Sequence, residues 1–94
     1  MHERALMTDV MRRIEEVADA QGAGRVVGVG VRLGALSHFT PEHFREHFVD
    51  ASRGTVAEGA AVVAVVDDDV ASERARDVIL ETVEVELSPV EGDR

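Results

Sequence analysis

Residues 25–36 read RVVGVGVRLGAL, and this stretch decides the fold because its apolar side chains recur at every second position. A period of two is typical of a β-strand with one buried face. The alternation predicts that four apolar side chains share one face: Val27, Val29, Val31 and Leu33. Glycines 28, 30 and 34 fall on the other face, where another group of atoms can approach the backbone closely.

The segment before this strand has the spacing of a helix instead. From Glu3 to about Ala20, apolar side chains recur three and four positions apart, which is the stripe of an amphipathic helix that packs on a core. Gly22 and Gly24 follow that stripe, and glycine commonly ends a helix. The first element is therefore predicted to be a helix over residues 3–20.

A second helix is predicted after the strand. Ser37–Phe39 reads as a loop, and Thr40-Pro41-Glu42 supplies an N-cap, a proline at the first helical position and an acid in the first turn. Phe44 and Phe48 lie one turn apart on this helix, which is predicted to end before Gly54.

Two more strands are predicted in the remaining third of the chain. Residues 60–66 form a Val-rich run that suits a strand. Residues 78–87 alternate, with Glu81 interrupting one face that carries Ile79, Val83, Val85 and Leu87. Residues 67–77 are charged and are predicted to be a solvated connection. The order α-β-α-β-β in a single domain over residues 1–94 indicates an α+β fold, with two helices on one face of a three-stranded sheet.

The composition excludes several classes of function. A net charge of −9 argues against nucleic acid and against an anionic membrane surface, both of which require Lys and Arg. The absence of cysteine excludes disulfides, zinc–thiolate sites and thiol nucleophiles. No apolar run approaches the ~20 residues of a membrane span. Charges at Glu3, Arg4 and Asp9 interrupt any signal-peptide pattern, so a cytoplasmic protein is expected.

The first three residues form a candidate metal chelate. The terminal amine of Met1, the backbone nitrogen of His2 and the His2 imidazole can close two fused rings on one ion. Nitrogen donors of this kind suit Ni(II) or Cu(II). Taken without the rest of the chain, however, a histidine near a terminus is more often a solvated side chain than a ligand.

Three other histidines offer a weaker alternative metal site. His43 and His47 are four residues apart on the second helix, so they project from one face and could hold one ion. The alternative is that they only flank Phe44 and Phe48 on a polar face. His38 lies in the preceding loop and could join them. No arrangement of nucleophile and base supports an enzyme, so the chain is not expected to be one.

Several motifs in order along the chain resemble the HypA/HybF family of hydrogenase-maturation nickel metallochaperones. They are Met1-His2-Glu3, residues 29–37 (VGVRLGALS), Pro41-Glu42 with Phe48, residues 53–60 (RGTVAEGA) and residues 80–86 (LETVEVE). The likeness covers nearly the whole chain. It implies a protein that binds Ni(II) and passes it, with a HypB-type GTPase, into the large subunit of a [NiFe]-hydrogenase. Some relatives also serve urease.

The resemblance also implies which residues hold the metal and where this chain departs from the family. The Ni(II) ligands it implies are the Met1 amine, the amide and imidazole of His2, and Glu3. Family members insert a zinc-binding lobe with two Cys-x-x-Cys pairs before the last strand. Here that interval is only residues 67–77, a short linker without cysteine, so no zinc site is expected.

The missing lobe leaves a second hypothesis open. The chain could be a metal-free protein-interaction module, a degenerate homologue that keeps the scaffold to bind hydrogenase-maturation proteins. A third hypothesis places the metal at His38, His43 and His47 rather than at the terminus. The sequence does not decide whether the chain forms a homodimer.

Overall fold

The computed structural model describes residues 2–87, and their side chains from Arg4 onward. It contains five elements in the predicted order: α1 (His2–Ala20), β1 (Arg25–Leu33), α2 (Pro41–Ser52), β2 (Ala61–Val66) and β3 (Val78–Glu86). The strands form one sheet in the order β2-β1-β3, in which β1 is parallel to β2 and antiparallel to β3. The predicted α+β class and the order α-β-α-β-β are confirmed, and β1 is the central strand.

The core lies between the two helices and one face of this sheet. The largest fully buried side chains come from both layers: Ile14 of α1, Phe44 and Phe48 of α2, and Val26, Val31 and Leu33 of β1. Burying side chains of this size provides most of the favourable free energy of folding. Within residues 2–87 no helix is long and apolar enough to cross a membrane.

The predicted inner face of β1 is wrong at its first position. Val26 is fully buried, whereas Val27 is 38% exposed. The pairing with β3 explains the difference, because Val26 lies opposite Val85 and Gly28 lies opposite Glu84. Val27 is thus an extra residue in β1 and forms a bulge. Because of this bulge, Val26 faces the core together with Val29, and Val27 does not.

A second bulge changes which residues of β3 face the core. Gly30 pairs with Thr82 and Val31 with Leu80, which leaves Glu81 as the extra residue. Val78 and Leu80 therefore pack against the core together with Val83 and Val85. The prediction that Ile79 and Leu87 share this inner face is wrong, since Ile79 is not among the residues packed on the core and Leu87 is 58% exposed.

The glycines of β1 make room for side chains of β3. A Cβ atom at Gly28 would lie 2.5 Å from Oε1 of Glu84, and one at Gly30 would collide with Oγ1 of Thr82. The close approach predicted on this outer face is therefore made by the side chains of Glu84 and Thr82.

The connection over residues 67–77 is mostly exposed, as predicted, but it is anchored to the end of β1. The Asp67 amide donates to the carbonyl of Leu33 (2.8 Å), and the Gly34 amide donates to the carbonyl of Asp77 (2.8 Å). Ala75 is buried. The Asp67 and Asp69 carboxylates accept hydrogen bonds from backbone amides two residues later, at 3.0 Å each, so these acids stabilise local turns.

The N-cap of α2 allows a first test of the fold. Oγ1 of Thr40 accepts a hydrogen bond from the His43 amide at 3.0 Å. We expect Thr40→Ala to lower the free energy of unfolding by about 1 kcal/mol, the usual cost of losing such a cap. Thr40→Ser should keep the stability. The control is Thr8→Ala on the exposed side of α1, where alanine is the better helix former; an equal loss there would contradict the capping role.

Candidate functional site

The two helices lie side by side and enclose a groove of about 910 Å³. Arg4, Met7 and Met11 line it from α1, and His47 and Asp50 line it from α2. The C-terminal part of α1, at Ala18 and Asp19, lies instead beside Gly54 and the residues after α2. The two helices therefore run in the same direction.

The chain topology requires the same arrangement. A short connection joins α1 to β1, and α2 is the crossover between the parallel strands β1 and β2. Each helix thus runs opposite to β1, and both helices begin at the same end of the domain. The N-terminus of α1 and the first turns of α2 share that end.

The predicted nickel ligands are largely outside the described residues. Met1 and the side chains of His2 and Glu3 are not among them, so the metal site at this tripeptide stays a prediction. The backbone is helical from His2 onward. The first four amides of an α-helix have no partner within the helix, and those of His2 and Glu3 are among them.

The structure brings His43 and His47 together on α2. Their Nε2 atoms are 2.9 Å apart and their ring centroids 4.6 Å apart. Both rings are half-buried. The ring of Phe39 packs against both, at centroid distances of 5.4 Å from His43 and 6.2 Å from His47. The two rings are therefore held in a defined arrangement.

His38 does not complete a set of three ligands. It is exposed in the loop before α2, with a left-handed φ of 69°. Within the described part of the chain, no group of three or more His, Cys, Asp or Glu side chains is placed to hold a metal ion. Two of the three histidines of the alternative site converge, and the third does not join them.

Phe39 is the residue near this site that the sequence reasoning missed. Phe39 lies in the predicted loop, but it is buried and contacts the ring of Phe44 edge-on at 5.7 Å. A signal for it was present. An apolar residue just before the N-cap commonly packs against the fourth residue of the helix, and Phe39 and Phe44 occupy those positions around Thr40.

Several charged residues of the helices form ion pairs. Arg12 bonds both Asp9 and Glu16 on α1, and Arg53 lies 3.1 Å from Asp50. On the sheet, Arg32 Nε donates to Glu81 at 2.8 Å, and this carboxylate raises the pKa of the Arg32 guanidinium. These exposed pairs contribute little to stability.

Comparison with known proteins identifies the family. Residues 1–72, which include α1, β1, α2 and β2, match the family described as hydrogenase/urease nickel incorporation metallochaperone HypA. The chain belongs to the HypA family. The resemblance inferred from the sequence motifs is thereby confirmed.

Individual HypA proteins also match this chain. The hydrogenase maturation factor HypA 1 of Bradyrhizobium diazoefficiens is 42% identical over 62 residues, covering 66% of this chain and 55% of the relative. HypA of Methylocella silvestris is 43% identical over 60 residues, covering 64% and 53%. This chain thus spans about half the length of the curated relatives it matches.

A solved structure shares the fold. The solution structure of the Ni metallochaperone HypA from Helicobacter pylori superposes with a TM-score of 0.74. The superposition covers 92% of this chain and 98% of the H. pylori chain, and the two sequences are 16% identical. At this identity the match supports the arrangement of helices and strands.

Proposed function

We propose that this HypA-family chain is a nickel metallochaperone that binds Ni(II) through Met1, His2 and Glu3 and assists its insertion into a [NiFe]-hydrogenase. The observation that carries the proposal is the family match over residues 1–72, which begins at this tripeptide. The metal is cargo, so the chain acts as a carrier rather than a catalyst. The partners implied by the resemblance are a HypB-type GTPase and the hydrogenase large subunit.

The start of α1 suits such a site chemically. Because the first amides of a helix have no intrahelical acceptor, metal ligation by the His2 and Glu3 nitrogens breaks no helical hydrogen bond. Together with the Met1 amine and the His2 imidazole they offer an all-nitrogen set, which suits Ni(II) in a square plane. The helix after the tripeptide is packed on the core through Met7 and Met11, so these donors are attached to a fixed support.

Calorimetric titration of Ni(II) into the untagged chain tests the proposal. We expect His2→Ala to weaken Ni(II) binding by at least about 10–100-fold. That is the usual loss of metal affinity when a residue that only supports a ligand is replaced. One glycine added before Met1 should have a similar effect, because the terminal amine is then converted into an amide. His38→Ala is the matched control and should bind as the parent does. Equal affinities of parent, His2→Ala and the extended chain would exclude the N-terminal site.

The alternative, a metal-free interaction module, is favoured by one observation, namely the short connection over residues 67–77, which contains no cysteine. A pull-down with the HypB-type GTPase, with and without nickel, separates the two functions. Nickel delivery predicts that His2→Ala alters the nickel-loaded complex. Binding that ignores both nickel and the His2 substitution would favour the interaction module.

A further inference from the structure

We propose that His43 and His47 form a second, weaker site for a nitrogen-preferring first-row metal ion such as Ni(II) or Cu(II), distinct from the N-terminal tripeptide. The proposal goes beyond the nickel-delivery function, which requires only the terminus. It rests on the distance between two imidazole nitrogens, their aromatic support and their position in the fold.

The distance between the two nitrogens is the one that a metal requires. Metal–imidazole bonds of about 2.0–2.1 Å at a right angle separate the two nitrogens by about 2.9 Å. The Nε2 atoms of His43 and His47 are 2.9 Å apart. Two histidines at this i, i+4 spacing on one helix face are an established way to hold a transition metal. In the metal-free chain this contact is a hydrogen bond between the two rings, and an ion that replaces the shared proton would keep the nitrogens at the same separation.

Phe39 prepares the pair for binding. Its ring lies against both imidazoles and is itself buried against Phe44. Rings that are already restricted lose less conformational entropy when they bind, which raises affinity. Both imidazoles remain half-exposed, so an ion can reach them.

The pair is expected to bind weakly and to exchange its ion readily. Two imidazoles occupy only two coordination positions of a first-row metal ion, so the pair by itself holds the ion through few bonds. His47 lines the same groove as Arg4, two residues after His2. The second site thus lies at the end of the domain where α1 begins, and it would offer two imidazoles to an ion near the terminus.

The test uses the full chain with one glycine before Met1 and the substitution His2→Ala, which together remove the N-terminal site. This background should still bind one Cu(II), and more weakly one Ni(II), in calorimetric titration. Adding His43→Gln and His47→Gln should weaken the remaining binding by on the order of tenfold or more. His38→Gln is the matched control and should leave it unchanged.

A second measurement separates loss of ligands from loss of structure. His43→Phe removes a nitrogen but keeps an aromatic ring against Phe39, and it should also lose the binding while melting as the background does. Substoichiometric Cu(II) should broaden the NMR signals of the His43 and His47 rings and spare those of His38. Binding that persists in the double variant, or a background that binds no Cu(II), would overturn the proposal.

The two metal proposals fail in different ways. If the parent binds nickel tightly and the background binds neither metal, the N-terminal site stands and the histidine pair falls. If His2→Ala and the added glycine leave nickel affinity unchanged while His43→Gln with His47→Gln removes it, the pair stands and the N-terminal site falls.

Discussion

Gly34→Ala is expected to lower the free energy of unfolding by about 3 kcal/mol, the upper end of the usual cost of overpacking. A Cβ atom at this position would lie 2.6 Å from the carbonyl carbon of Ala75 and 2.7 Å from the carbonyl oxygen of Arg74. These are backbone atoms, and they cannot rotate away. Hydrogen bonds from Gly34 to Asp77 and from Leu36 to Ala75 hold the two segments together.

Gly30→Ala is the matched control. Its Cβ would also collide with another atom, but that atom is the side-chain Oγ1 of Thr82, and the next nearest atom is 3.7 Å away. Rotation of the threonine can relieve the contact, so we expect a loss below about 1 kcal/mol, close to that of an ordinary surface substitution. Urea unfolding of both variants measures the difference. If Gly34→Ala lowers the free energy of unfolding as little as Gly30→Ala does, residues 67–77 move aside easily.

This comparison tests how the short connection is held. Ala75 is buried and its carbonyl accepts a hydrogen bond from Leu36 at 2.6 Å, so the connection packs on the domain through backbone atoms. A large effect of Gly34→Ala would show that this packing contributes to the stability of the whole domain.

Phe44→Ala is expected to cost about 3–5 kcal/mol, as is usual when a buried aromatic ring is removed from a core. Phe44 is fully buried, and its ring contacts those of Phe39 and Phe48. A domain of this size has a total stability of about 5–14 kcal/mol. The variant should therefore be close to unfolding at room temperature.

Val49→Ala on the same helix is the control for Phe44→Ala. Its side chain is 54% exposed, so we expect a change within about 0.5 kcal/mol. Thermal melting followed by circular dichroism measures both variants against the parent. Comparable melting temperatures for parent and Phe44→Ala would mean that the core does not depend on this ring.

Much of the fold could be predicted because its signals are local. The spacing of apolar residues predicted α1, β1 and β3, and a Val-rich run predicted β2. Thr40-Pro41 predicted the first residue of α2. The inner faces of β1 and β3 were partly mispredicted because each strand contains a bulge, at Val27 and at Glu81. A bulge depends on how one strand pairs with another, and alternation along a single strand carries no record of its partner.

The candidate metal ligands could likewise be predicted only in part from the sequence. The tripeptide Met1-His2-Glu3 and the i, i+4 spacing of His43 and His47 are visible in the sequence. The position of His47 beside Arg4, at the end where α1 begins, is not visible, because it follows from the parallel packing of two helices on a shared sheet. The sequence allowed His38 to join this pair, but in the structure it is exposed in its loop and no group of three ligands forms within the described residues.

By itself the sequence determined the type and order of the elements, the helix cap and the family, since each depends on residues close together in the chain or on motifs read in order. The tertiary structure decided which valines are buried, how residues 67–77 are anchored, and that His43 and His47 meet beneath Phe39. Those features depend on contacts between distant segments, and such contacts are fixed only when the strands pair and the helices pack against them.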